Sequence, residues 1–124
     1  MKQKDKELLL KDLCARLPFG VKICCADNPK INGYLVGIVG ESVVALSSGR
    51  ADFPISDVRP YLRPMSSMTE EERKEYKHFV AFSGSPDGAA NFVDWLNKNH
   101  FDYRNLIERG LAIEVTKENN PYKE

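Results

Sequence analysis

The side chains best suited to chemistry are three cysteines, Cys14, Cys24 and Cys25, and two histidines, His78 and His100. Thiolate and imidazole bind zinc, and a thiolate beside a histidine acts as a nucleophile. Zinc ligands usually come in local pairs such as Cys-x-x-Cys, and the sequence has no such pair. The spacing therefore favours no metal and no cofactor, and a Cys–His pair would have to arise from tertiary proximity.

Phosphate and cation chemistry have equally weak signals. Gly33, Gly37 and Gly40 fall within strand-like sequence, not in a loop between a strand and a helix, and no lysine-bearing phosphate loop is present. The acidic run Glu70–Glu72 is explained by the first turn of a helix, where the helix dipole favours acids. Without a catalytic motif, the chain is predicted not to be an enzyme.

The densest aromatic group is Trp95, Phe101 and Tyr103, with His100 and Arg104 beside it. Such a group can stack on bases or on a partner peptide. The alternative is that Trp95 anchors its helix in the core and Phe101 packs beneath the following turn. Tyr103, Arg104 and His100 are therefore the candidate interaction surface.

Basic residues offer a second candidate surface. Residues 1–63 carry ten basic and seven acidic side chains, a net charge of +3, and residues 64–124 carry −3, so the whole chain is neutral. Net charge does not favour nucleic acid as a partner, but a local patch in the first half remains possible. Its candidate residues are Lys22, Lys30, Arg50, Arg59 and Arg63.

An amphipathic helix is predicted over residues 5–16. Leucines and a cysteine recur on one face at helical spacing, and Pro18 and Gly20 then end the helix. The predicted apolar face consists of Leu9, Leu10, Leu13, Cys14 and Leu17.

Residues 20–63 have the pattern of short strands joined by tight turns. Strands are predicted at 21–24, 31–39, 42–47 and 51–53, followed by one helical turn and a short strand that ends at residue 62. Because Gly33 and Gly37 lie inside the second strand, where a glycine often marks a bend, a small barrel or strongly curved antiparallel sheet is favoured over a flat meander.

Residues 67–110 are predicted to be mainly helical. A capping box at Ser67–Glu70, or in a second register at Thr69–Glu72, begins a helix that runs from about Thr69 to Val80, with Tyr76, Phe79 and Val80 as its buried stripe. A second helix spans about 89–99, with an apolar face that includes Phe92, Val93, Trp95 and Leu96. Asp102 is expected to cap a short third helix over 103–109, before a strand at 111–115 and a polar, frayed tail at 117–124.

Length and composition place these elements in one α+β domain over residues 1–116. The chain has 124 residues, of which 42% are apolar and 29% charged, as is usual for a globular domain. Its apolar runs are too short for a membrane span or a secretory leader, and its cysteines do not form an even, spaced set. We therefore expect a cytoplasmic protein with no membrane partner.

Two resemblances add to this interpretation. Residues 11–18, 60–71, 94–104 and 110–113 resemble a group of small uncharacterised proteins of anaerobic gut bacteria and their phage-like mobile elements, which implies a small cytoplasmic accessory protein and brings no known activity. The stretch 33–44 resembles the strand–bend–strand core of SH3-like small barrels, which bind nucleic acids, peptides or proteins.

Two functions remain in competition. The first is a non-catalytic module that binds an unidentified protein partner through a groove or an open sheet edge. The second is a nucleic-acid-binding accessory protein that uses the basic residues of the first half. A steep loss of binding with added salt would favour the second function.

Overall fold

A computed structural model describes residues 1–40, 42–44 and 52–123, with side chains at all of these except 42–44 and 52. Helix α1 spans Gln3–Arg16 and is followed by a 3-10 turn at Leu17–Phe19. Gly20 then ends the helical segment with a φ of 74°, a left-handed conformation that glycine adopts without steric cost. The predicted N-terminal helix is thus confirmed.

The predicted face of α1 is partly wrong. Cys14 is exposed, whereas Asp12 and Arg16 are completely buried beside Leu9 and Leu13. A buried charge is tolerated when it is paired, and Asp12 and Arg16 stand four residues apart, where side chains on a helix meet. The helix therefore turns a charged pair inward in place of the cysteine.

Seven short strands form two sheets. Their bounds are β1 Lys22–Cys25, β2 Asn32–Tyr34, β3 Gly37–Val39, β4 Ser42–Val44, β5 Asp52–Pro54, β6 Val58–Leu62 and β7 Ile113–Glu114. One sheet has the strand order β2-β1-β6-β7, and the other has the order β3-β4-β5. All neighbours are antiparallel except β6 and β7, which are parallel. The α+β class is as predicted.

The barrel is not. The predicted strand over residues 31–39 divides at Leu35 and Val36, so that β2 and β3 join different sheets. β1 has both edges occupied, by β2 and by β6, and offers no position to β3. Within the described residues the strands do not close into a barrel, and the stretch that resembles an SH3-like core is shared between two sheets. Residues 45–51, including the predicted turn at 48–50, lie outside the described residues.

Helices α2 (Glu70–Ala81) and α3 (Pro86–Lys98) form a hairpin. The capping box is confirmed: the Thr69 hydroxyl accepts from the Glu72 N–H, and the Glu72 carboxylate accepts from the Thr69 N–H. The Ser85 hydroxyl caps α3, one residue before Pro86. Trp95 and Leu96 are buried as predicted.

The outer surface of this hairpin departs from the predicted stripes. Val80 and Val93 are 46% and 40% exposed, because only the adjacent ridge of Tyr76, Phe79 and Phe92 meets Trp95 between the helices. Both valines were predicted to be buried, because the apolar face predicted for each helix was one residue too wide.

The predicted third helix does not form. Residues 103–109 make a succession of turns. The Asp102 carboxylate does hold this segment, but not as the cap of a helix: its two oxygens accept from the N–H groups of Leu106 and Ile107, four and five residues ahead, each at 2.9 Å. Asn105 takes a φ of 58°, which interrupts helical geometry.

The four-stranded sheet has two different faces. Its inner face packs against α1 and forms the main core with Leu9, Leu13, Ile23, Val58 and Leu62 among its buried residues. Its outer face carries a smaller cluster of Cys24, Tyr61 and Val115, against which Ile113 and Tyr122 pack. No helix in the described part of the chain is long and apolar enough to span a membrane.

Candidate functional site: a cationic groove

Two of the predicted surface residues, Tyr103 and Arg104, belong to a network that begins in α1. Arg16 Nε donates to Asp12 Oδ2 at 2.7 Å, and Arg104 Nη1 donates to Asp12 Oδ1 at 2.9 Å. Arg16 Nη2 also donates to the carbonyl of Phe101 at 2.7 Å. Asp12 therefore joins α1 to the segment that follows α3.

The Tyr103 ring lies against both guanidinium groups of this network. Its centroid is 5.1 Å from the Arg16 guanidinium carbon and 4.7 Å from that of Arg104. Its hydroxyl donates to Asn97 Oδ1 at 2.7 Å, which satisfies an amide that is only 2% exposed. Tyr103 and Arg104 thus have clear structural roles, as inter-element contacts.

The predicted basic patch is dispersed or already engaged. Arg59 donates to the carbonyls of Ser56, Val58 and Gly110 at 2.7–3.2 Å. Lys22 Nζ lies 4.9 Å from the Tyr34 ring centroid, on the same face of the sheet as Arg59. Lys30 is exposed in the turn between β1 and β2, and Arg50 lies outside the described residues.

Arg63 continues that face beyond the end of β6. Its two terminal nitrogens donate to the two Glu72 carboxylate oxygens at 2.8 and 2.7 Å, and its guanidinium carbon lies 4.3 Å from the Phe101 ring centroid. These hydrogen bonds lower the pKa of Glu72 to about 2. Arg63 therefore ties β6 to α2 while part of its side chain remains accessible, at 22% exposure.

His100 occupies the residue after the C-terminal cap of α3. Its N–H donates to the Asn97 carbonyl, and the Phe101 N–H donates to the Leu96 carbonyl, the two hydrogen bonds of a Schellman motif. The motif requires a left-handed residue, usually glycine, and His100 fills it with a φ of 62°. A histidine here costs about 1 kcal/mol of backbone strain relative to glycine. Because such strain is often found at functional sites, the side chain of His100 is a candidate functional group.

The His100 ring is held by Tyr122 from the tail segment, residues 117–123. The two rings stack with centroids 3.7 Å apart and planes 7° from parallel. The Tyr122 hydroxyl accepts from the Lys22 N–H at 2.9 Å and donates to the Tyr61 carbonyl at 2.7 Å. Burial raises the pKa of Tyr122, so the hydroxyl keeps its proton for this bond. The expectation of a frayed tail is therefore wrong at Tyr122.

An open groove lies beside this stack. Its larger pocket has a volume of about 500 Å³ and is lined by Arg63, Lys98, Asn99, His100, Asn120, Tyr122 and Lys123. A smaller pocket of about 240 Å³ is lined by Arg63, Ser67, Val115, Thr116, Lys117 and Asn120. Because both pockets share Arg63 and Asn120, we treat them as one surface and name it the cationic groove.

The charge of the cationic groove has one sign. Lys98, Lys117 and Lys123 contribute three positive charges, whereas the charge of Arg63 is paired with Glu72, and none of the lining residues is acidic. His100 adds no charge near neutral pH, because burial, followed by the charges of Arg16 and Arg63, lowers its pKa to about 4. The remaining polar groups are amides and hydroxyls, so the groove is suited to an anionic ligand.

The sequence interpretation included Arg63 and His100 but missed the three lysines of the groove. Lys117 and Lys123 come from the segment that was predicted to be a frayed tail, and Lys98 from the end of α3. The sequence did contain a signal that the tail segment folds back onto the protein. Tyr122 is the only aromatic residue after Tyr103, and it follows the turn-forming Asn-Asn-Pro at 119–121.

Thiol and metal chemistry receive no support from the geometry. Cys24 is buried, and desolvation raises the pKa of its thiol, which makes a thiolate harder to form. Among the described side chains, no three histidine, cysteine, aspartate or glutamate residues converge on a point that could hold a metal ion.

Comparison with known proteins adds no assignment to this geometry. No protein-family model, no curated protein and no solved structure matches the chain.

Proposed function

We propose that this protein is a non-catalytic interaction module that binds an acidic segment of a partner protein in the cationic groove. The observation that carries the proposal is the lining of the groove, where three lysines and the Glu72-paired Arg63 surround amide and hydroxyl groups and no acidic residue lines the surface. Opposite charges across an interface speed association and select the partner.

Chemistry at the groove supports binding without catalysis. A general base must titrate near the working pH, and the pKa of His100 is about 4. The buried Tyr122 hydroxyl is committed to two backbone hydrogen bonds and has a raised pKa. Neither group is suited to proton transfer near neutral pH.

An acidic protein segment fits the groove better than a nucleic acid does. The phosphate backbone attracts proteins with extended positive surfaces, and this chain has no net charge. The other described residues of the predicted patch, Lys22, Lys30 and Arg59, do not line the groove, so they do not extend its positive surface. The aromatic ring of the groove, Tyr122, is stacked on His100 and gives up one face that a base would use.

The proposal is tested with a fluorescent hexaglutamate peptide, whose binding is followed by anisotropy at pH 7. We expect Lys98→Glu combined with Lys123→Glu to weaken binding at least tenfold, because both exposed lysines line the larger pocket. The matched control is Lys74→Glu with Lys77→Glu, which makes the same charge change on the exposed surface of α2. We expect this control to stay within about threefold of the wild type, since the Debye length is about 8 Å at physiological salt.

Two results would overturn the proposal. One is equal weakening in the groove variant and in the α2 control, which would show a response to net charge alone. The other is tighter binding of a single-stranded oligonucleotide than of the peptide, lost in the groove variant, which would make nucleic acid the partner.

A further inference from the structure

Two buried polar atoms in the described part of the chain have no hydrogen-bond partner, Arg16 Nη1 and His100 Nδ1. An unpaired buried polar group is costly, so each such group needs a physical explanation. Burial, followed by the charges of Arg16 and Arg63, lowers the pKa of His100, so its ring is neutral at pH 7.

The missing partner of Nδ1 indicates which ring nitrogen of His100 carries the proton. Neutral imidazole has one N–H donor and one lone-pair acceptor. A proton on Nδ1 would be a buried N–H without an acceptor, and buried unpaired N–H groups are rarer in folded proteins than buried unpaired acceptors. The lone pair is therefore favoured on Nδ1.

With its lone pair on Nδ1, the ring carries its proton on Nε2. Of the two ring nitrogens, only Nδ1 is both buried and unpartnered in the described structure, and the His100 side chain lines the larger pocket of the groove. The stack on Tyr122 and the left-handed backbone fix the orientation of the ring. The Nε2–H is therefore a preorganised donor at the groove.

We propose that the larger pocket of the cationic groove is a carboxylate-binding subsite in which neutral His100 donates its Nε2–H to the ligand, with Lys98 and Lys123 beside it. This inference rests on the proposed function and specifies the chemical group that is recognised. The carboxylate comes either from an acidic side chain or from the end of a peptide chain.

A neutral donor gives the subsite an unusual pH dependence. A site that needs imidazolium loses affinity as the pH rises through about 6.5, the ordinary pKa of histidine. Here the charged groups around the ring are Arg16, Arg63, Lys98 and Lys123, and burial raises the pKa of Tyr122, so its hydroxyl stays neutral. We therefore expect the affinity for a carboxylate peptide to change less than twofold between about pH 5.5 and 8, above the ordinary pKa of the ligand carboxyl groups.

The tautomer is tested directly on the wild-type protein by long-range ¹H–¹⁵N correlation spectra of the histidine rings. The expected result is the Nε2–H tautomer at pH 7, with a His100 pKa near 4. Finding the Nδ1–H tautomer, or a pKa near 6.5, would refute the inference. This measurement needs no variant and no ligand.

Two variants then test the donor by peptide binding. His100→Asn keeps a side-chain N–H and tolerates left-handed geometry, whereas His100→Gly suits that geometry but has no donor. We expect binding of hexaglutamate within about threefold of the wild type for His100→Asn and about tenfold weaker for His100→Gly. Equal affinities of the two variants and the wild type would show that His100 makes no contact with the ligand.

The source of the carboxylate is resolved by two further peptides. An amidated hexaglutamate lacks the chain-terminal carboxylate, and a hexaglutamine with a free end has no other carboxylate. Retained binding of the first assigns the subsite to side chains, and retained binding of the second assigns it to the chain end. If wild-type protein binds neither these peptides nor hexaglutamate, the proposed function fails, whereas binding that depends on Lys98 and Lys123 but not on His100 defeats this inference alone.

Discussion

The buried carboxylate of Asp12 holds two arginine side chains in place. Its two carboxylate oxygens accept hydrogen bonds from Arg16 and Arg104, at 2.7 and 2.9 Å, and its side chain is completely buried. Arg16 is equally buried. In such a cluster, loss of one partner leaves the other charge uncompensated, so the cost greatly exceeds the net value of the ion pair.

We expect Asp12→Asn to lower the free energy of unfolding by about 3 kcal/mol, which is the usual cost of breaking a buried pair. The asparagine amide carries no negative charge. Its NH₂ group is a donor, so it would leave one of the Arg16 or Arg104 donors without an acceptor. Urea unfolding followed by the fluorescence of Trp95, which is 8% exposed, measures the change.

Arg104→Gln is the matched control, because it removes the more accessible partner, 20% exposed, and leaves the Asp12–Arg16 pair in place. Its expected cost is about 1 kcal/mol. Similar losses in the two variants would contradict a special role for the buried pair.

The burial of Asp12 and Arg16 could not be predicted from hydrophobic periodicity. Hydrophobic periodicity assigns charged residues to the exposed face of a helix. It placed Cys14 on the buried face of α1, because the thiol counts as apolar. The deciding information is the position of Arg104 and of the Phe101 carbonyl, both more than 80 residues away in sequence. The role of Asp102 was predicted in part: its partners are local, but they lie four and five residues ahead instead of in the first turn of a helix.

At the scale of elements, the α2–α3 hairpin illustrates which features are local. Its capping box was predicted because it depends on residues within one turn, whereas α3 was expected to begin at about residue 89, three residues after its start at Pro86. The division of residues 31–39 into β2 and β3 was not predicted, since it depends on β6, which is more than 20 positions after the division and occupies the second edge of β1.

The first turn of α3 requires a glycine at position 88, because the end of α2 passes close to it. A Cβ added there would lie 1.8 Å from the Phe82 carbonyl oxygen, closer than any non-bonded contact allows. We expect Gly88→Ala to destabilise the protein by about 2 kcal/mol, even though alanine is normally the better helix former, because the backbone must move. Thermal unfolding monitored by circular dichroism measures this change.

Gly84→Ala, in the loop between the two helices, provides the comparison. A Cβ at Gly84 would have no atom within 4 Å. Alanine should therefore be neutral there, or stabilising by up to about 1 kcal/mol, since it restricts the unfolded chain. If both substitutions have the same effect, the close approach of Gly88 to Phe82 does not determine the geometry of the hairpin.

At the scale of the whole molecule, the tail segment completes the outer face of the four-stranded sheet. Tyr122 packs against the cluster of Cys24, Tyr61 and Val115 and stacks on His100. Tyr122 thereby connects the last described residues to Lys22, the first residue of β1. The cationic groove depends on this closure, because Asn120, Tyr122 and Lys123 form part of its wall.

The Tyr122 hydroxyl fills a gap between β1 and β6. It accepts from the Lys22 N–H and donates to the Tyr61 carbonyl, so it bridges two strands that make no direct bond at this position. Tyr122→Phe keeps the aromatic stack and removes only this bridge. We expect a loss of about 1–2 kcal/mol, because the Lys22 N–H and the Tyr61 carbonyl lose their partner.

Amide hydrogen exchange locates this effect within one strand. In Tyr122→Phe the Lys22 amide should exchange at least tenfold faster, since about 1.4 kcal/mol corresponds to a factor of ten. The Cys25 amide, in the same strand, donates to the Ile31 carbonyl at 2.9 Å and has no contact with the hydroxyl. Its exchange should follow only the change in global stability. Unchanged exchange at Lys22, or equal acceleration at Lys22 and Cys25, would mean that the tail rests on the sheet without joining its hydrogen-bonded ladder.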